Sequence, residues 1–132
     1  MQSLNVIWVF NPTRTKVLMC KRRKNPYKGL YNMPGGKIEP NENSISAAYR
    51  ELQEETGITD IELVHLMDFT YHQKDACKIE VYAGTLTQET PVKGDEKELT
   101  WLDVNENFFD KTRFAGEGNI GHIYEIIKQN LR

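Results

Sequence analysis

The sequence has little cysteine and no long apolar run. Cysteine occurs at two positions, Cys20 and Cys77, in separate apolar stretches without CxxC spacing. This spacing indicates neither a zinc site nor a disulfide framework, and we expect two buried thiols. The first residues lack the basic start and apolar run of a signal peptide, and no stretch approaches transmembrane length. We therefore expect a cytoplasmic protein with no membrane partner.

An excess of one charge is also absent. Lysine and arginine number 17 and aspartate and glutamate number 19, which gives a formal net charge of −2. Binding to a nucleic-acid polymer or an anionic membrane through bulk charge requires a clear basic excess, so we expect neither partner. With 132 residues, of which 39% are hydrophobic, the chain is predicted to form one compact domain over residues 1–132, as a monomer or a homodimer.

Short apolar runs separated by turn-forming residues predict a set of strands. The predicted strands cover residues 4–10, 16–20, 61–71, 78–86 and 99–103. Between the second and third of these, Pro34-Gly35-Gly36 and Pro40 predict a bent strand and loop, where the backbone takes shapes that side chains would obstruct.

Two helices complete the predicted fold. The first has Asn43 as its cap and Gly57 as its left-handed stop, with Ile45, Ala48 and Leu52 on one apolar face. The second runs from about Asn119 to Asn130. Its predicted buried stripe is Ile120, Ile123, Ile126 and Ile127. A mixed sheet with two helices predicts an α+β fold.

Three glutamates lie together on the first predicted helix. Glu51, Glu54 and Glu55 occupy positions i, i+3 and i+4 and therefore share one face. Like charges at this spacing repel, so they call for a compensating cation, and carboxylate oxygens suit Mg²⁺ or Mn²⁺. The neighbouring Arg50 is expected to orient one of the carboxylates. The alternative interpretation is a solvated, charged helix face.

Residues 36–58, GKIEPNENSISAAYRELQEETGI, resemble the Nudix box: Gly, five residues, Glu, seven residues, Arg-Glu, an aliphatic residue, one residue, Glu-Glu, one residue, Gly and an aliphatic residue. The resemblance implies an α/β/α sandwich and an enzyme that hydrolyses a nucleoside diphosphate linked to another moiety. It also implies magnesium, with manganese as the alternative, bound by Glu51, Glu54, Glu55 and the backbone carbonyl of Gly35. Arg50 and Glu51 count among the catalytic residues.

A general base is needed to deprotonate the attacking water. Glu54 is our first candidate, although many members of this family use a glutamate on a later loop. Glu96 and Glu98 are candidates for that role, and Glu96 is preferred because it lies five residues before Trp101, a spacing similar to that of the family's purine nucleoside triphosphatases. The alternative is that residues 93–98 form only a charged hairpin tip.

Residues 30–37, LYNMPGGK, look like the corresponding segment of the MutT-type members of the family. In that comparison Asn32 reads a purine edge, and Asn119 contacts the base. A helix N-cap is the competing interpretation of Asn119. Arg23 and Lys37 are candidates for flanking the polyphosphate, with solvated surface cations as the alternative.

The substrate expectation follows from this resemblance. The leading hypothesis is a MutT-type pyrophosphohydrolase that converts an oxidised purine nucleoside triphosphate, such as 8-oxo-dGTP, to the monophosphate and pyrophosphate. The shortness of the chain also favours it over the ADP-ribose hydrolases. One alternative is hydrolysis of ADP-ribose, a nucleotide sugar or a dinucleoside polyphosphate. A more distant alternative is a non-catalytic domain that binds a nucleotide as a sensor.

Overall fold

The computed structural model of the chain describes residues 1–72, 76–92 and 98–131. Over these residues the chain forms six strands and two helices. They are β1 (Gln2–Phe10), β2 (Lys16–Lys21), β3 (Tyr31–Asn32), α1 (Ser44–Thr56), β4 (Val64–Tyr71), β5 (Cys77–Thr85), β6 (Glu98–Asp103) and α2 (Asn119–Asn130). Neither helix has the length and apolar character needed to cross a membrane.

The strands form one mixed sheet. β5 lies between β1 and β4, parallel to the former and antiparallel to the latter. β2 pairs antiparallel with β1, β3 and β6, and its pairing with β6 extends over the whole of β2. The two helices pack against separate apolar clusters that share the strands of this sheet. The predicted α+β fold, a mixed sheet between helices, is confirmed.

The glycine-rich segment that follows β3 completes the edge of β1. β1 and β2 pair at Phe10 and Val17, and nearer the start of β1 its partner is the segment 34–38. The N–H of Ile7 donates to the carbonyl of Pro34 at 2.9 Å, and the N–H of Asn5 donates to that of Gly36 at 2.8 Å. The two glycines of the predicted loop are therefore fixed directly beside a central strand.

β1 is buried on both faces because each face is covered by a helix layer. Ile7 and Val9 belong to the cluster that contains Leu52 of α1, and Trp8 and Phe10 belong to the cluster that contains Ile123 of α2. A strand covered on both sides appears in sequence as a continuous apolar run, which is the pattern that predicted it.

Helix α1 has the predicted caps. The Oδ1 of Asn43 accepts from the N–H groups of Ile45 and Ser46, and Gly57 takes a left-handed conformation with φ of 79°. The predicted apolar face is wrong at Ile45, which is 37% exposed. Ile45 lies in the first turn, where Ser46 is also exposed, so its position along the axis leaves it uncovered although its direction around the axis matches that of Leu52.

Helix α2 has the predicted bounds, Asn119–Asn130. Ile120, Ile123 and Ile127 are buried, whereas Ile126 is 43% exposed. Successive residues are about 100° apart around a helix, so Ile126 and Ile127 cannot both face the sheet. The prediction that Ile126 belongs to the buried stripe is wrong.

The third predicted strand, residues 61–71, is shorter in the structure, because β4 begins at Val64. A Cβ atom on Gly84 would lie 2.5 Å from the carbonyl oxygen of Glu62 and 3.0 Å from the Ile61 side chain. Residues 61 and 62 therefore cross the face of β5 instead of extending β4. Of the two cysteines, Cys20 is buried as predicted, but Cys77 is only half-buried.

Candidate active site

Arg50 lies at the centre of an ion-pair network on α1. Its Nε and Nη2 bind both carboxylate oxygens of Glu42, at 2.6 and 2.8 Å. Its Nη1 lies 3.1 Å from Glu51 and 3.2 Å from Glu54. The guanidinium therefore joins the loop before the helix to two glutamates on it, and this bidentate geometry is specific to arginine.

Glu42 holds Arg50 in this position. The side-chain hydrogen bond from Arg50, assisted by one from the backbone N–H of Glu39, lowers the pKa of the Glu42 carboxyl to about 2. The same hydrogen bond raises the pKa of Arg50. Both groups stay charged over the physiological range, so Arg50 is oriented before any ligand arrives.

The two loop glycines face two of the helix glutamates. Gly35 has φ of 149°, and a Cβ there would lie 2.1 Å from the carbonyl oxygen of Asn5, so only glycine fits. Its N–H donates to the carboxylate of Glu55 at 3.2 Å. At Gly36 the place of a Cβ is taken by the Glu51 carboxylate, with Oε2 2.5 Å from it. The backbone of Asn5 therefore requires glycine at position 35, whereas at position 36 the missing Cβ leaves room for the Glu51 carboxylate to approach the backbone.

We call Glu51, Glu54 and Glu55 the carboxylate cluster. Burial raises the pKa of the Glu51 carboxyl; Arg50 opposes this shift, while Glu55 and Glu54 add to it. Such a cluster beside backbone carbonyls offers hard oxygen ligands and excess negative charge, which fit Mg²⁺ or Mn²⁺ in donor type and charge.

Arg50 limits how closely the carboxylate cluster converges. Among the described residues, the three-residue group whose possible ligand atoms all lie within 4.8 Å of one another is His65, Asp68 and Glu80. Arg50 holds Glu51 and Glu54, while Glu55 accepts from Gly35. A shared divalent ion therefore requires rotation of at least one cluster side chain.

The His65–Asp68–Glu80 group already contains a cation. The Nζ of Lys78 lies 3.6 Å from Asp68 and 3.7 Å from Glu80. The hydroxyl of Tyr82 also donates to Glu80 at 2.7 Å. Lys78 offsets one of the two negative charges and Tyr82 satisfies part of Glu80, so we assign this group no role in the site.

An apolar pocket of about 450 Å³ lies on the α2 side of the sheet. Its apolar wall includes Leu4, Val6, Met33, Phe69, Ile79 and Ile123. Asn32 and Asn119 both line it, and the amide nitrogen of Asn119 donates to the Tyr71 hydroxyl. Burial raises the pKa of Tyr71, so this hydroxyl stays protonated at neutral pH. The pocket thus combines apolar walls with a few oriented polar groups, which is typical of small-molecule sites.

Asn119 is not the N-cap of α2. Gly118 is the cap residue, and no side chain caps the helix. The competing interpretation of Asn119 as a cap is therefore wrong. The Asn119 side chain instead lines the pocket, where its amide nitrogen donates to the Tyr71 hydroxyl.

The predicted phosphate-binding cations, Arg23 and Lys37, do not line the pocket. Arg23 and Lys37 are exposed, and Arg22 is the arginine that lines the pocket. The carbonyl of Lys37 accepts from Arg50 at 3.2 Å. Glu96 lies outside the described residues.

Three contributors to this region escaped the sequence interpretation. The sequence identifies Glu42 as a box position but not as the partner of Arg50, and it does not identify Tyr71 or Asn5. Asn5 is a polar residue inside an apolar strand, which is a detectable signal for a special role. Tyr71 offers no comparable signal, because its contact with Asn119 joins residues that are 48 positions apart.

Comparison with known proteins places the chain in a family. The NUDIX domain profile matches residues 1–120. An ADP-ribose pyrophosphatase from Methanocaldococcus jannaschii is 46% identical over 96 residues, which cover 68% of this chain and 56% of that protein. An oxidized purine nucleoside triphosphate hydrolase from Danio rerio is 26% identical over 106 residues, covering 78% of this chain and 67% of the relative.

The fold has solved counterparts. A structure of MutT, from a comparison of the Aliivibrio salmonicida and Vibrio cholerae proteins, superposes with a TM-score of 0.75 over 97% of this chain and 98% of that one. At 23% sequence identity this likeness shows the fold alone. The chain spans little more than half of the archaeal relative, so the relatives' activities are not assigned to it by similarity. The profile match over residues 1–120 nevertheless establishes that this chain belongs to the Nudix family.

Proposed function

We propose that the chain is a magnesium-dependent hydrolase that cleaves a diphosphate linkage in a nucleotide. The leading substrate is an oxidised purine nucleoside triphosphate such as 8-oxo-dGTP, converted to 8-oxo-dGMP and pyrophosphate. One observation carries the proposal: the segment from Asn32 to Gly36 lines the apolar pocket at its first two residues and contacts Glu55 and Glu51 at its last two.

The distance between the pocket and the two glycines is short enough for one nucleotide to reach both. Four Cα-to-Cα steps in an extended chain span at most about 14 Å, so Asn32 and Gly36 cannot be further apart. A base in the pocket and a polyphosphate beside the glycines can therefore belong to one nucleotide. The apolar wall accounts for the base, and the carboxylates with a divalent ion account for the phosphates.

The carboxylate cluster and the Gly35 carbonyl are the proposed ligands of the ion. A divalent ion held by these residues would supply positive charge opposite the phosphates and would lower the pKa of a bound water. Glu54, whose side chain is 58% exposed, accepts the proton of that water, and Arg50 fixes its orientation. Water attacks phosphorus, the bridging P–O bond breaks, and pyrophosphate leaves. Glu96, and Glu98 at the exposed start of β6, remain the alternative bases.

Two amides support a purine as the base. Asn32 and Asn119 each carry donor and acceptor groups, which together match the mixed edge of a purine. The Oδ1 of Asn32 also accepts from the N–H of Met33 at 2.9 Å, which fixes the orientation of this amide. The Tyr71 hydroxyl holds one orientation of the Asn119 amide. Arg23 and Lys37 are proposed to contact the outer phosphates.

Substrate profiling tests the proposal. Purified protein with Mg²⁺ is assayed against 8-oxo-dGTP, dGTP, ADP-ribose and a dinucleoside polyphosphate, and the products are separated by chromatography. We expect the oxidised triphosphate to have the highest kcat/KM, with pyrophosphate released and no turnover in EDTA. Glu54→Gln should lower kcat by about 100-fold or more while the thermal midpoint stays within a few degrees.

ADP-ribose hydrolysis is the second candidate, favoured by the 46% identity to the archaeal pyrophosphatase. Release of AMP and ribose 5-phosphate at a higher kcat/KM than any triphosphate would replace the leading substrate and leave the reaction class intact. A wild-type protein that binds these nucleotides without turnover would instead establish a sensor.

A further inference from the structure

We propose that Asn5 is a positioning residue that aims the carbonyl of Gly35. Its side-chain amide fixes the peptide between Gly35 and Gly36, and this sets the direction of the proposed metal-ligand oxygen. The step from that direction to metal binding rests on the proposed function, whereas the fixing of the peptide does not.

The pairing of β1 with the segment 34–38 departs from a regular ladder at Asn5. In antiparallel pairing, two opposed residues exchange both N–H to carbonyl bonds. Asn5 donates its N–H to the Gly36 carbonyl at 2.8 Å, but the return bond from the Gly36 N–H goes to the side-chain Oδ1 of Asn5 at 2.9 Å. The side chain has replaced the backbone carbonyl as the acceptor, so the peptide before Gly36 is turned out of the ladder.

Because the peptide is planar, the hydrogen bond from the Gly36 N–H to Asn5 also sets the direction of the Gly35 carbonyl. In a trans peptide the carbonyl and the following N–H point to opposite sides. Because the Gly36 N–H points at Oδ1 of Asn5, the Gly35 carbonyl oxygen must point away from it. Two successive glycines leave this peptide few steric barriers to rotation, so the bond to Asn5 selects one orientation.

The surroundings of the Asn5 side chain indicate that only its oxygen, as an acceptor for the Gly36 N–H, explains an asparagine at this position. Asn5 is 2% exposed, and its Nδ2 has no hydrogen-bond partner among the described residues. A buried amide donor without a partner destabilises the fold. Ile7 and Val9, which lie on the same face of β1, are apolar, and an apolar residue at position 5 would avoid that cost but leave the Gly36 N–H without its acceptor.

The experiment uses Asn5→Leu, Asn5→Asp and the matched control Asn11→Leu. Asn11, the residue directly after β1, is also a buried amide, but its side-chain contacts go to Thr15 and to Lys16 at the start of β2. Amide hydrogen exchange at Gly36 is measured by NMR on metal-free protein, and Mn²⁺ affinity by electron paramagnetic resonance without nucleotide. A scalar coupling from the Gly36 nitrogen to the Asn5 side-chain carbonyl carbon is sought in the wild type.

We expect the scalar coupling to be observed in the wild-type protein. We also expect the Gly36 amide to exchange faster in Asn5→Leu than in Asn11→Leu when the two variants are compared under conditions of equal free energy of unfolding. Asn5→Asp keeps an acceptor oxygen and should retain slow exchange. Mn²⁺ affinity should fall roughly 10- to 100-fold in Asn5→Leu, as for residues that orient metal ligands, and should be unchanged in Asn11→Leu.

Three results would overturn the inference: no coupling in the wild type, wild-type exchange and Mn²⁺ affinity in Asn5→Leu, or an equal loss of affinity in Asn11→Leu. The coupling decides the matter even where Asn5→Leu does not fold. A wild type that binds no Mn²⁺ would defeat the proposed function, yet the coupling and the exchange rates would still determine whether Asn5 fixes the peptide.

Discussion

Gly36 shows how a missing side chain positions a charged one. The Glu51 carboxylate oxygen Oε2 lies 2.5 Å from the position that a Cβ of residue 36 would take, so Gly36→Ala should push the carboxylate away by about 1 Å. A displacement of this size at a reacting centre can reduce the rate by about 100-fold. The positive-φ constraint that applies to Gly35 does not apply to Gly36. We therefore expect a thermal midpoint within a few degrees of the wild type and a large loss of kcat/KM.

Gly29→Ala is the matched control for that substitution. Gly29 has φ of 86°, and a Cβ there would have no heavy atom within 4 Å. Alanine at this position strains the backbone and should lower the stability by about 1 kcal/mol without changing kcat/KM. If Gly36→Ala lost no more activity than Gly29→Ala, the close approach of Glu51 to the glycine would have no catalytic importance.

The sequence predicts the common helix face of the three glutamates, but it does not predict the contacts of Asn5 and Tyr71. The spacing of Glu51, Glu54 and Glu55 already requires a common helix face, because the helical repeat is fixed. Asn5 and Tyr71 act through partners in other elements, and such contacts depend on strand register, which a single sequence does not determine.

At the scale of elements, the Glu42–Arg50 pair joins the loop before α1 to the helix. The folded pKa of Glu42 is lowered from 4.5 to about 2, so the pair stabilises the fold fully above about pH 5, and the contribution disappears as the pH falls toward 2. Glu42→Gln lacks the pair at every pH. It should be less stable than the wild type at pH 7.

Urea unfolding of both proteins between pH 2 and pH 7 measures this difference. The difference between their free energies of unfolding should be constant from pH 7 to about 5 and should shrink between pH 5 and pH 2. A difference that stays constant down to pH 2 would mean that Arg50 does not stabilise the ionised form of Glu42 in the native state.

Helix α2 permits a direct comparison of a buried and an exposed isoleucine. Ile123 is 5% exposed and Ile126 is 43% exposed, although both occur in the same apolar pattern. Ile123→Ala should lower the free energy of unfolding by about 2–5 kcal/mol, as expected for a large-to-small core substitution. Ile126→Ala should change it by less than about 1 kcal/mol. Equal losses in urea unfolding would contradict the orientation of α2.

For the whole molecule, local patterns predicted the elements and the fold class but not the order of the strands. The apolar run of β1 and the two caps of α1 are local signals, and they were confirmed. The parallel pairing of β1 with β5 joins residues about 75 positions apart, such as Leu4 and Ile79. The insertion of residues 34–38 beside β1 is likewise non-local. These arrangements follow from packing both faces of one sheet, which no short segment specifies.

The Gly35–Gly36 segment connects the carboxylate cluster to the apolar pocket, so metal and nucleotide should bind cooperatively. A ligand present at 100 times its Kd stabilises the fold by about 2.7 kcal/mol. At about 2–8 °C per kcal/mol, this raises the thermal midpoint by roughly 5–20 °C. We expect such a shift with nucleoside monophosphate and Mg²⁺ together, and a smaller shift when EDTA replaces the metal. Asn119→Ala should lose the nucleotide-dependent shift and retain the Mg²⁺-dependent one. If the nucleotide shift were the same in EDTA, the pocket and the carboxylate cluster would be independent sites, and the segment between them would not couple base recognition to metal binding.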